Sequence, residues 1–558
     1  MTHSRRSVVG TLGALSLAGC ASTEIIRAPA VSAMTGTPQY VENLFTLGVA
    51  SGDPLSDGFV IWTRLAPRPL ESGGGMQGPM KVRWQVSEDE KFSTIAREGV
   101  KTATSDWAHS VHVEVGGLRP LRQYYYRFIA DGQDSPVGRA KTAPTFGSNT
   151  DSLRFAFASC QHFEQGFFNA YHDMVAGNPD LIVHLGDYIY EASWGPQVRR
   201  QTVTDAITLS DYRELHAQYK TDKALQAAHA HAPWLFIWDD HEVANNAWQG
   251  GAANHSLTQG EWGQRLSAAV QAYYEWMPVR EISHTGRLAL YRGYRFGNLL
   301  DLSVLDTRLA GRDAPVDTPD AINAEERTLL GAEQEIWLES RLASAQQEGV
   351  TWKLLGQQVM MAQFGLAEQP FNYDQWDGYP AARRRLFECI RRHNVENFGV
   401  LTGDIHSGWA MTLNDDPFVS TETPIGFELV TPAVTSPGIS NKTTAALAGS
   451  SLMQVMPHLK FIDFYYRGFV LLDITHEHLQ AEWWVVNRVD SPRYDSACMK
   501  ALKLNRGEYR YIESQPVKPE MSSMELADFS GDLSYLRNWS AGDELAATDM
   551  IAALHPGN

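Results

Sequence analysis

Hydrophobic and polar residues alternate in two different ways along this chain, and the polar stretch Thr142–Ser152 separates them. Before it, short runs rich in valine and aromatic residues are bounded by Gly, Pro, Ser and Asp, a pattern typical of an all-β region. After it, apolar runs of strand length alternate with stretches of helical periodicity, as in layered α/β domains. The pattern therefore predicts a β domain over residues 41–145 and an α/β catalytic domain over residues 152–515.

The first region contains five candidate strands: LFTLGV, FVIWTRL, KVRWQV, SVHVEV and YYYRFIAD. Its segment Gly117–Phe128 (GLRPLRQYYYRF) resembles a corner of fibronectin type III and related sandwiches, in which a tyrosine hydroxyl ties a turn to the backbone. Tyr124 or Tyr126 would be that tyrosine. The region shows no pattern for catalysis, so we expect it to be structural or to shape a rim of the site.

The second region alternates between strand and helix candidates. The strand candidates are RFAFASC, PDLIVHLGD, WLFIWDD, WKLLGQQV, FGVLTGD and FELVTP, followed by GFVLLDIT and QAEWWVVN as antiparallel strands. Helical periodicity is clearest in Phe163–Gly177, where large apolar residues fall on one face. Residues 516–558 form an acidic C-terminal tail, which we expect to be a loosely packed cover or partly disordered.

The N-terminus has the features of an export signal. Arg5 and Arg6 precede a short, weakly apolar stretch that resembles a twin-arginine (Tat) signal and is too short to span a bilayer. Leu17–Cys20 (LAGC) resembles a lipobox, so residues 1–20 are interpreted as a lipoprotein signal and residues 21–40 as a tether. A frayed basic terminus and an ordinary signal peptide are the alternatives. The interpretation implies a bacterial periplasmic or cell-surface protein, anchored through lipid on Cys20.

Composition narrows the class of protein. The 558 residues carry a formal net charge of −18, which argues against nucleic acid as the main partner. No stretch after the signal is apolar enough to span a bilayer. Four cysteines are too few for a disulfide scaffold. In an oxidising compartment Cys389 and Cys498 could pair, although Cys389 lies in a helical pattern where a buried thiol is equally expected.

Polar side chains follow several buried strands of the α/β region. They are Cys160, Asp187, Asp239, Asp240, His241, Glu242, Asp404 and His406. Functional sites of α/β sheets form beyond the carboxyl ends of strands, so we expect these side chains to lie together. Clustered carboxylates repel one another unless cations lie between them. The sequence therefore predicts a shared metal site, with Tyr190 three residues beyond Asp187.

Each of these segments also has a simpler interpretation. Gly186-Asp187 could be a turn, and Asp239–Glu242 could begin a helix. Cys160 could be an inert core thiol, and Tyr190 could bond a backbone carbonyl. These alternatives require a separate cause for every strand end, whereas one metal site accounts for all of them.

The order of the motifs resembles the alkaline phosphatase D family. The segments that carry the resemblance are Ser159-Cys160, Gly186–Glu191 (GDYIYE), Trp238–Glu242 (WDDHE), Asn245-Asn246, Leu305–Arg308 (LDTR), Asp374–Arg385 (DQWDGYPAARRR), Gly403–His406 (GDIH) and Thr431–Gly438 (TPAVTSPG). The family belongs to the metallophosphoesterases, with purple acid phosphatases as relatives. The resemblance implies a layered α/β sandwich preceded by a fibronectin III/Ig-like β-sandwich, with Fe³⁺ and Ca²⁺ as cofactors.

The resemblance also implies a set of metal ligands. They are Cys160, Asp187, Tyr190 and His406 for Fe³⁺, and Asp240, Asp404 and Asn246 or Asn245 on the Ca²⁺ side, with Asp187 bridging. Cys160 and Asp404 stand where the wider superfamily has Asp and His. The added oxygen donors suit Ca²⁺, whereas the thiolate and the phenolate suit Fe³⁺. These differences from the superfamily pattern weaken the case for zinc.

The implied reaction is metal-dependent hydrolysis of small-molecule phosphomonoesters, with diesters as a second class. His241 would contact the phosphate or protonate the leaving group. Arg308 and Arg383 would orient phosphate oxygens, with a structural ion pair as the alternative for each. A phosphodiesterase or phospholipase D-type hydrolase is one alternative function. A non-enzymatic, calcium-stabilised surface lipoprotein is another, although structural calcium has no use for the Cys160–Tyr190 pair.

Overall fold

A computed structural model describes residues 40–524, apart from 281–282, 285–286, 289, 317, 367–368 and 417–422. The interpreted export signal with Cys20, residues 21–39 of the tether and the tail beyond residue 524 lie outside the described residues. Cys389 and Cys498 are free thiols, so the disulfide considered for them is not formed in this structure. No helix within the described ranges is long and apolar enough to cross a membrane.

The strands of the described residues follow one another along the whole length of the chain. They are β1 Val49–Leu55, β2 Gly58–Arg64, β3 Met80–Ser87, β4 Ile95–Ala103, β5 Ser110–Val115, β6 Gln123–Ala130, β7 Gln133–Asp134, β8 Gly138–Lys141, β9 Ser152–Ala158, β10 Leu181–His184, β11 Trp234–Phe236, β12 Ser283–His284, β13 Arg287–Leu288, β14 Arg292–Phe296, β15 Leu300–Val304, β16 Trp352–Gly356, β17 Gly365–Leu366, β18 Gln369–Pro370, β19 Phe398–Thr402, β20 Gly408–Leu413, β21 Gly426–Val430, β22 Leu459–Asp463, β23 Arg467–Thr475, β24 His478–Val486, β25 Ser496–Asn505 and β26 Ile512–Glu513.

Two large sheets share one core at the centre of the α/β region. The first has the strand order β26-β25-β24-β23-β9-β10-β11-β1-β2-β5, and the second has the order β14-β15-β16-β19-β21-β20-β22. Strands β9, β10 and β11 are parallel neighbours, as are β15, β16, β19 and β21. Phe157 and Val183 of the first sheet belong to the same buried cluster as Leu302 and Leu354 of the second. The fold is therefore mixed α/β, as the alternating pattern predicts.

The described residues also form eight α-helices. They are α1 Ala170–Gly177, α2 Leu209–Tyr219, α3 Lys223–His231, α4 Trp262–Trp276, α5 Pro319–Ile322, α6 Ala332–Gln347, α7 Pro380–Arg392 and α8 Lys442–Val455. Leu338 of α6 and Ile390 of α7 share a buried cluster with Leu355 of β16 and Val400 of β19. Helices α6 and α7 therefore pack against the second sheet, on the face opposite to the shared core.

The strands of the first predicted region are divided between two sheets. Strands β1, β2 and β5 extend the first large sheet, where β1 pairs in parallel with β11. Strands β3, β4, β6, β7 and β8 form a separate five-stranded sheet. Phe59, Val82 and Phe128 belong to the buried cluster that joins the two sheets. The two predicted regions thus share a sheet, and a fibronectin III/Ig-like domain over residues 41–145 stays a prediction.

Tyr124 closes a turn before β6. Its hydroxyl accepts a hydrogen bond from the backbone N–H of Arg119 at 2.9 Å, five residues earlier in the chain. This is the type of contact that the Gly117–Phe128 motif predicts, and Tyr124 makes it. The hydroxyl therefore holds the β5–β6 connection against the sheet.

Candidate metal centre

The carboxyl ends of three neighbouring strands deliver polar side chains to one place. Cys160 follows β9, Asp187 follows β10, and Asp240 follows β11 in the middle of the first sheet. Asp404 follows β19 of the second sheet, and its ligand atom lies within 4.8 Å of one from Asp240. The strand-end cluster, as we name it, consists of Cys160, Asp187, Tyr190, Asp239, Asp240, His241, Asp404 and His406.

Several members of the strand-end cluster have an unusual backbone conformation. The φ angle is +58° at Cys160, +55° at Asp187, +62° at Asp404 and +51° at His406. These angles fall in the left-handed region, which costs an L-residue other than glycine about 1 kcal/mol. Such strain persists only where the surrounding structure holds it, and it concentrates at functional sites.

Two features hold the turns after β10 and β11 together. Gly186 has a φ of +105°, and a Cβ there would lie 2.3 Å from Cβ of Asp239, so only glycine permits this approach. The buried Glu242 carboxylate accepts hydrogen bonds from the backbone N–H groups of Asp187 at 3.1 Å, Tyr188 at 2.6 Å and Asp239 at 2.8 Å. Glu242 therefore fixes both turns, although the sequence assigned it no role.

One half of the cluster combines a thiol, a phenol, an imidazole and a carboxylate. Ligand atoms of Cys160, Asp187 and His406 all lie within 4.8 Å of one another. The Tyr190 hydroxyl donates to Oδ2 of Asp187 at 2.9 Å and lies 3.2 Å from Nε2 of His406. Nδ1 of His406 donates to the Pro437 carbonyl at 2.9 Å, which leaves Nε2 as the nitrogen for a metal.

The other half of the cluster is richer in carboxylates. Ligand atoms of Asp187, Asp240 and His241 form one close group, and those of Asp239, Asp240 and Asp404 form another. Asp187 therefore belongs to both halves of the cluster. Carboxylates at such distances repel one another strongly when all are ionised, unless positive charge lies among them.

Several buried carboxylate oxygens of the cluster have no hydrogen-bond partner among the residues that the structure describes. They are Oδ1 of Asp187, Oδ2 of Asp239 and Oδ1 of Asp240. The other oxygen of Asp240, Oδ2, accepts from the backbone N–H of Asn246 at 2.5 Å. A buried carboxylate that is left incompletely paired costs several kcal/mol. Hard cations would satisfy these oxygens, so the donor set fits bound metal ions.

Burial opposes ionisation of the donors in the absence of a cation. It raises the pKa of the Cys160 thiol well above its usual value, and Asp187 adds to the effect. Burial likewise raises the pKa of the Tyr190 phenol, with Asp187 and Cys160 contributing. Burial is also the largest cause of the raised pKa of Asp187. A bound cation favours the charged form of each group and would reverse these shifts.

Arg308 is fully buried inside the cluster and is surrounded by carboxylates. Its Nε donates to Asp239, its Nη1 donates to Oδ2 of Asp374 at 2.6 Å, and its Nη2 donates to Oδ1 of Asp404 at 3.0 Å. Nη2 also lies 3.5 Å from Oδ1 of Asp240. These contacts make Arg308 the counter-ion of the carboxylates. Its role in orienting phosphate stays a prediction.

Arg383 does not join the strand-end cluster. It lies on α7 and donates to Oδ1 of Asp377 at 2.5 Å and to the Met361 carbonyl at 3.1 Å. Asp377 also accepts from the backbone N–H of Phe364 at 2.7 Å. These are the contacts of a structural ion pair, which was the alternative that the sequence left open.

His241 is held by a second buried carboxylate. Its Nδ1 lies 2.7 Å from Oε2 of Glu191, whose other oxygen accepts from the backbone N–H of Asn245 at 2.9 Å and from Nδ2 of Asn254 at 2.6 Å. Burial acts to lower the pKa of His241, but Asp240 and Glu191 outweigh it, so the pKa lies well above its usual value. The two carboxylates therefore favour the protonated imidazole.

Trp194 forms an aromatic wall beside the cluster. Its ring centroid lies 5.1 Å from that of Tyr190, 5.7 Å from that of His241 and 6.4 Å from that of His406. The side chain is partly exposed, whereas those three residues are buried. Trp194 thus separates this part of the cluster from solvent.

A buried glutamate anchors the loop that carries Trp194. The Glu164 carboxylate accepts hydrogen bonds from the Ser193 hydroxyl at 2.9 Å, the Trp194 N–H at 2.9 Å and the Gln201 N–H at 3.2 Å. Hydrogen bonds to an ionised carboxylate are strong, so these three contacts hold the loop beside the cluster.

Besides Glu242 and Glu164, three more residues at the site received no role from the sequence. Ser436 donates to the Tyr190 hydroxyl at 2.6 Å, Glu191 holds His241, and Trp194 forms the wall. All three lie in or beside segments that the sequence singled out, Gly186–Glu191 and Thr431–Gly438. Their position in those segments is the signal that could have found them.

Comparison with known proteins defines the class to which this fold and site belong. Residues 155–483 match the model of the PhoD-like phosphatase family, and residues 30–144 match its PhoD-like phosphatase N-terminal domain. The chain therefore belongs to the PhoD-like phosphatase family and is a phosphoric ester hydrolase, which confirms the predicted resemblance.

Two relatives show how far the similarity extends. Alkaline phosphatase D of Bacillus subtilis (strain 168) is 41% identical over 517 residues, which cover 88% of this chain and 86% of that protein. A solved structure of PhoD aligns with a TM-score of 0.79 and 40% identity, covering 86% of this chain and 94% of that chain. The similarity thus includes both sequence regions.

Proposed function

We propose that this enzyme hydrolyses phosphomonoesters with iron and calcium bound in the strand-end cluster. The observation that carries the proposal is the group of buried carboxylate oxygens of Asp187, Asp239 and Asp240 that accept no hydrogen bond from the described residues, beside a thiol, a phenol and an imidazole. A purely structural cluster would leave those oxygens unsatisfied. Family membership supports the reaction class, and the donor set supports the choice of metals.

The two halves of the cluster suit different ions. The proposed ligands are Cys160, Tyr190, His406 and Asp187 for Fe³⁺, and Asp187, Asp240, Asp404 and Asn246 for Ca²⁺. Thiolate and phenolate suit an oxidised iron, whereas carboxylate and amide oxygens suit calcium. When bound, such ions polarise phosphoryl oxygens and supply an oxygen nucleophile near neutral pH.

His241 acts as the proton donor to the leaving-group oxygen. Glu191 holds Nδ1, so Nε2 is the nitrogen that releases its proton as the ester bond breaks. Glu191 fixes the tautomer and the orientation of the ring throughout the reaction. Arg308 holds Asp239 and Asp404 in position, because it donates a hydrogen bond to each.

Trp194 limits the space for the leaving group. Its ring lies beside His241, the proposed proton donor, and Glu164 holds the loop that carries it. A planar leaving group would stack on this indole, and water would be displaced from the face that it covers. We expect aryl phosphates to bind better than alkyl phosphates for this reason.

The proposal also includes export of the enzyme from the cytoplasm. The Arg5–Arg6 pair and the Leu17–Cys20 segment resemble a twin-arginine lipoprotein signal. An exported, lipid-anchored enzyme would act on phosphate esters in the periplasm or at the cell surface. Cell fractionation of a Cys20→Ser variant tests the anchor: release into the soluble fraction supports it, and unchanged membrane association contradicts it.

A comparison of substrates tests the reaction. The purified native enzyme is incubated separately with a phosphomonoester, a phosphodiester and phosphatidylcholine vesicles, and each product is measured. We expect kcat/KM for the monoester to exceed the others by about tenfold or more, a difference of about 1.4 kcal/mol in transition-state stabilisation. Faster diester cleavage or choline release would favour a phosphodiesterase or a phospholipase D instead. Absence of hydrolysis with all three substrates would contradict the proposal.

A further inference from the structure

A second group of metal-ligating side chains lies on helices α6 and α7. Ligand atoms of Glu339, Cys389 and His393 all lie within 4.8 Å of one another. Glu339 belongs to α6, Cys389 belongs to the last turns of α7, and His393 caps that helix. The group shares no residue with the strand-end cluster, and the proposed reaction does not use it.

The spacing of the three ligand atoms resembles that around a tetrahedral ion. Cys389 and His393 are four residues apart, which places them on one face of the helix. Nε2 of His393 lies 2.9 Å from Oε1 of Glu339. Ligands at about 2.0–2.3 Å from a tetrahedral zinc ion lie about 3.3–3.7 Å from one another. Side-chain shifts of about 1 Å would therefore bring all three atoms into coordination.

The surroundings of the group also suit a cation. It lies at the C-terminus of α7, where the helix dipole carries partial negative charge. The His393 and Glu339 side chains are 27% and 39% exposed, so an ion can enter from solvent. Arg392 donates to the same Glu339 oxygen at 2.7 Å, but its side chain is 59% exposed and can turn away into water.

We propose that Glu339, Cys389 and His393 form a second metal site that takes Zn²⁺, with water as the fourth ligand. Thiolate and imidazole favour zinc over calcium, and a carboxylate is an ordinary third ligand for zinc. Binding releases the Cys389 proton to solvent and forms a zinc–sulfur bond, with no change of oxidation state. The ion links α6 to α7 and so stabilises the helical layer on the second sheet. This site is independent of the proposed function.

Zinc binding to the full-length native enzyme and to matched variants tests the site. The variants are Cys389→Ser, His393→Gln and, as the control, Glu388→Gln, which changes an exposed residue of the same helix. After incubation with Zn²⁺ and gel filtration, zinc, iron and calcium per chain are measured in the same samples. The iron and calcium contents show whether the catalytic centre has changed.

We expect the wild type and Glu388→Gln each to retain one more zinc ion per chain than Cys389→Ser and His393→Gln do. Equal zinc in all four proteins would overturn the site. If Cys389→Ser fails to fold, His393→Gln gives the same comparison from a partly exposed position.

Cobalt provides a second measurement, because a thiolate bound to Co²⁺ gives a charge-transfer band. The band should disappear in Cys389→Ser and persist in Cys160→Ser. A band that disappears only in Cys160→Ser would place the cobalt in the catalytic centre and overturn the proposal.

Discussion

Tyr190 contacts three polar groups of the site through one oxygen. Its hydroxyl donates to Asp187, accepts from Ser436 and lies 3.2 Å from Nε2 of His406. Its ring packs between two histidine rings, with both centroid separations 4.3 Å. The hydroxyl oxygen is therefore held in a fixed position without a metal ion. This preorganisation favours the interpretation of Tyr190 as a metal ligand over that of a residue that only packs in the core.

Replacing Tyr190 with Phe removes only that oxygen. We expect Tyr190→Phe to lose a visible phenolate-to-iron absorption band, to retain less iron and to hydrolyse esters far more slowly. Loss of the hydrogen bonds alone would cost only about 1–2 kcal/mol of stability. Absorption spectra, iron content and kcat of the purified variant provide the measurement.

Tyr188→Phe is the matched control. Its hydroxyl contacts His229 at 2.7 Å and Lys220 at 3.1 Å, and it has no contact with a proposed iron ligand side chain. This variant should lose stability and keep the band. If Tyr190→Phe behaves like Tyr188→Phe in colour, iron content and activity, Tyr190 is not a ligand.

Trp194→Ala tests the aromatic wall. We expect kcat/KM for phenyl phosphate to fall about fivefold more than that for a small alkyl phosphate, because stacking contributes about 1 kcal/mol. Metal content should not change. Trp107→Ala removes a half-exposed indole that has no ring contact with the cluster, and it serves as the control. Equal losses on the two substrates would show that Trp194 does not bind the leaving group.

The sequence predicted the members of the strand-end cluster better than the residues that hold them in place. Cys160, Asp187 and Asp404 each end an apolar run, so their position could be read from the local pattern. Glu164 acts through a loop that only the folded chain brings to the site. No local pattern distinguishes such a residue from a solvent-exposed acid.

At the scale of elements, the turn after β10 is the most constrained connection. We expect Gly186→Ala to cost about 3 kcal/mol of stability, because the added Cβ meets Asp239 and the backbone is left-handed. The displaced turn should also reduce metal retention. Chemical unfolding and metal analysis measure the two effects.

Gly132→Ala is the control that separates the cost of a left-handed backbone from the cost of a steric clash. Gly132 has a φ of +76° and no heavy atom within 4 Å of an added Cβ, so the cost should be only about 1 kcal/mol. Similar losses for the two variants would mean that close approach to Asp239 does not constrain Gly186.

The strands and helices near the site could be predicted, because the periodic spacing of apolar residues within each element is a local feature of the sequence. The pairing of β1 with β11 could not, since it joins Gly52 to Trp234 across a long stretch of chain. A strand pattern specifies which face is buried but not which distant strand lies beside it. The sequence therefore did not predict that β1, β2 and β5 of the first region extend the large sheet of the second.

At the scale of the whole molecule, buried histidines make stability depend on pH. Burial lowers the pKa of His184 to about 3, and it lowers the pKa of His216 and of His229 well below the usual value. Between the unfolded pKa of about 6.5 and the folded value, the unfolded chain binds protons that the folded chain does not. The free energy of unfolding should therefore fall as pH falls below about 6.5.

His184→Gln measures one part of this effect. At about pH 5, a single such histidine lowers the free energy of unfolding by about 2 kcal/mol. Urea unfolding between about pH 7 and about pH 5 should give a shallower loss for the variant than for the wild type. If the free energy of unfolding fell equally with pH in the variant and the wild type, His184 would be protonated in the folded protein at about pH 5.

The central claim is that a mixed iron and calcium centre hydrolyses phosphate esters. The direct measurement is metal content and monoester hydrolysis of the natively exported enzyme, before chelation, after chelation and after return of single metals. We predict that chelation removes calcium and activity while iron stays bound, and that Ca²⁺ alone restores hydrolysis. Restoration by Zn²⁺ but not by Ca²⁺, or full activity in protein free of both iron and calcium, would contradict the claim.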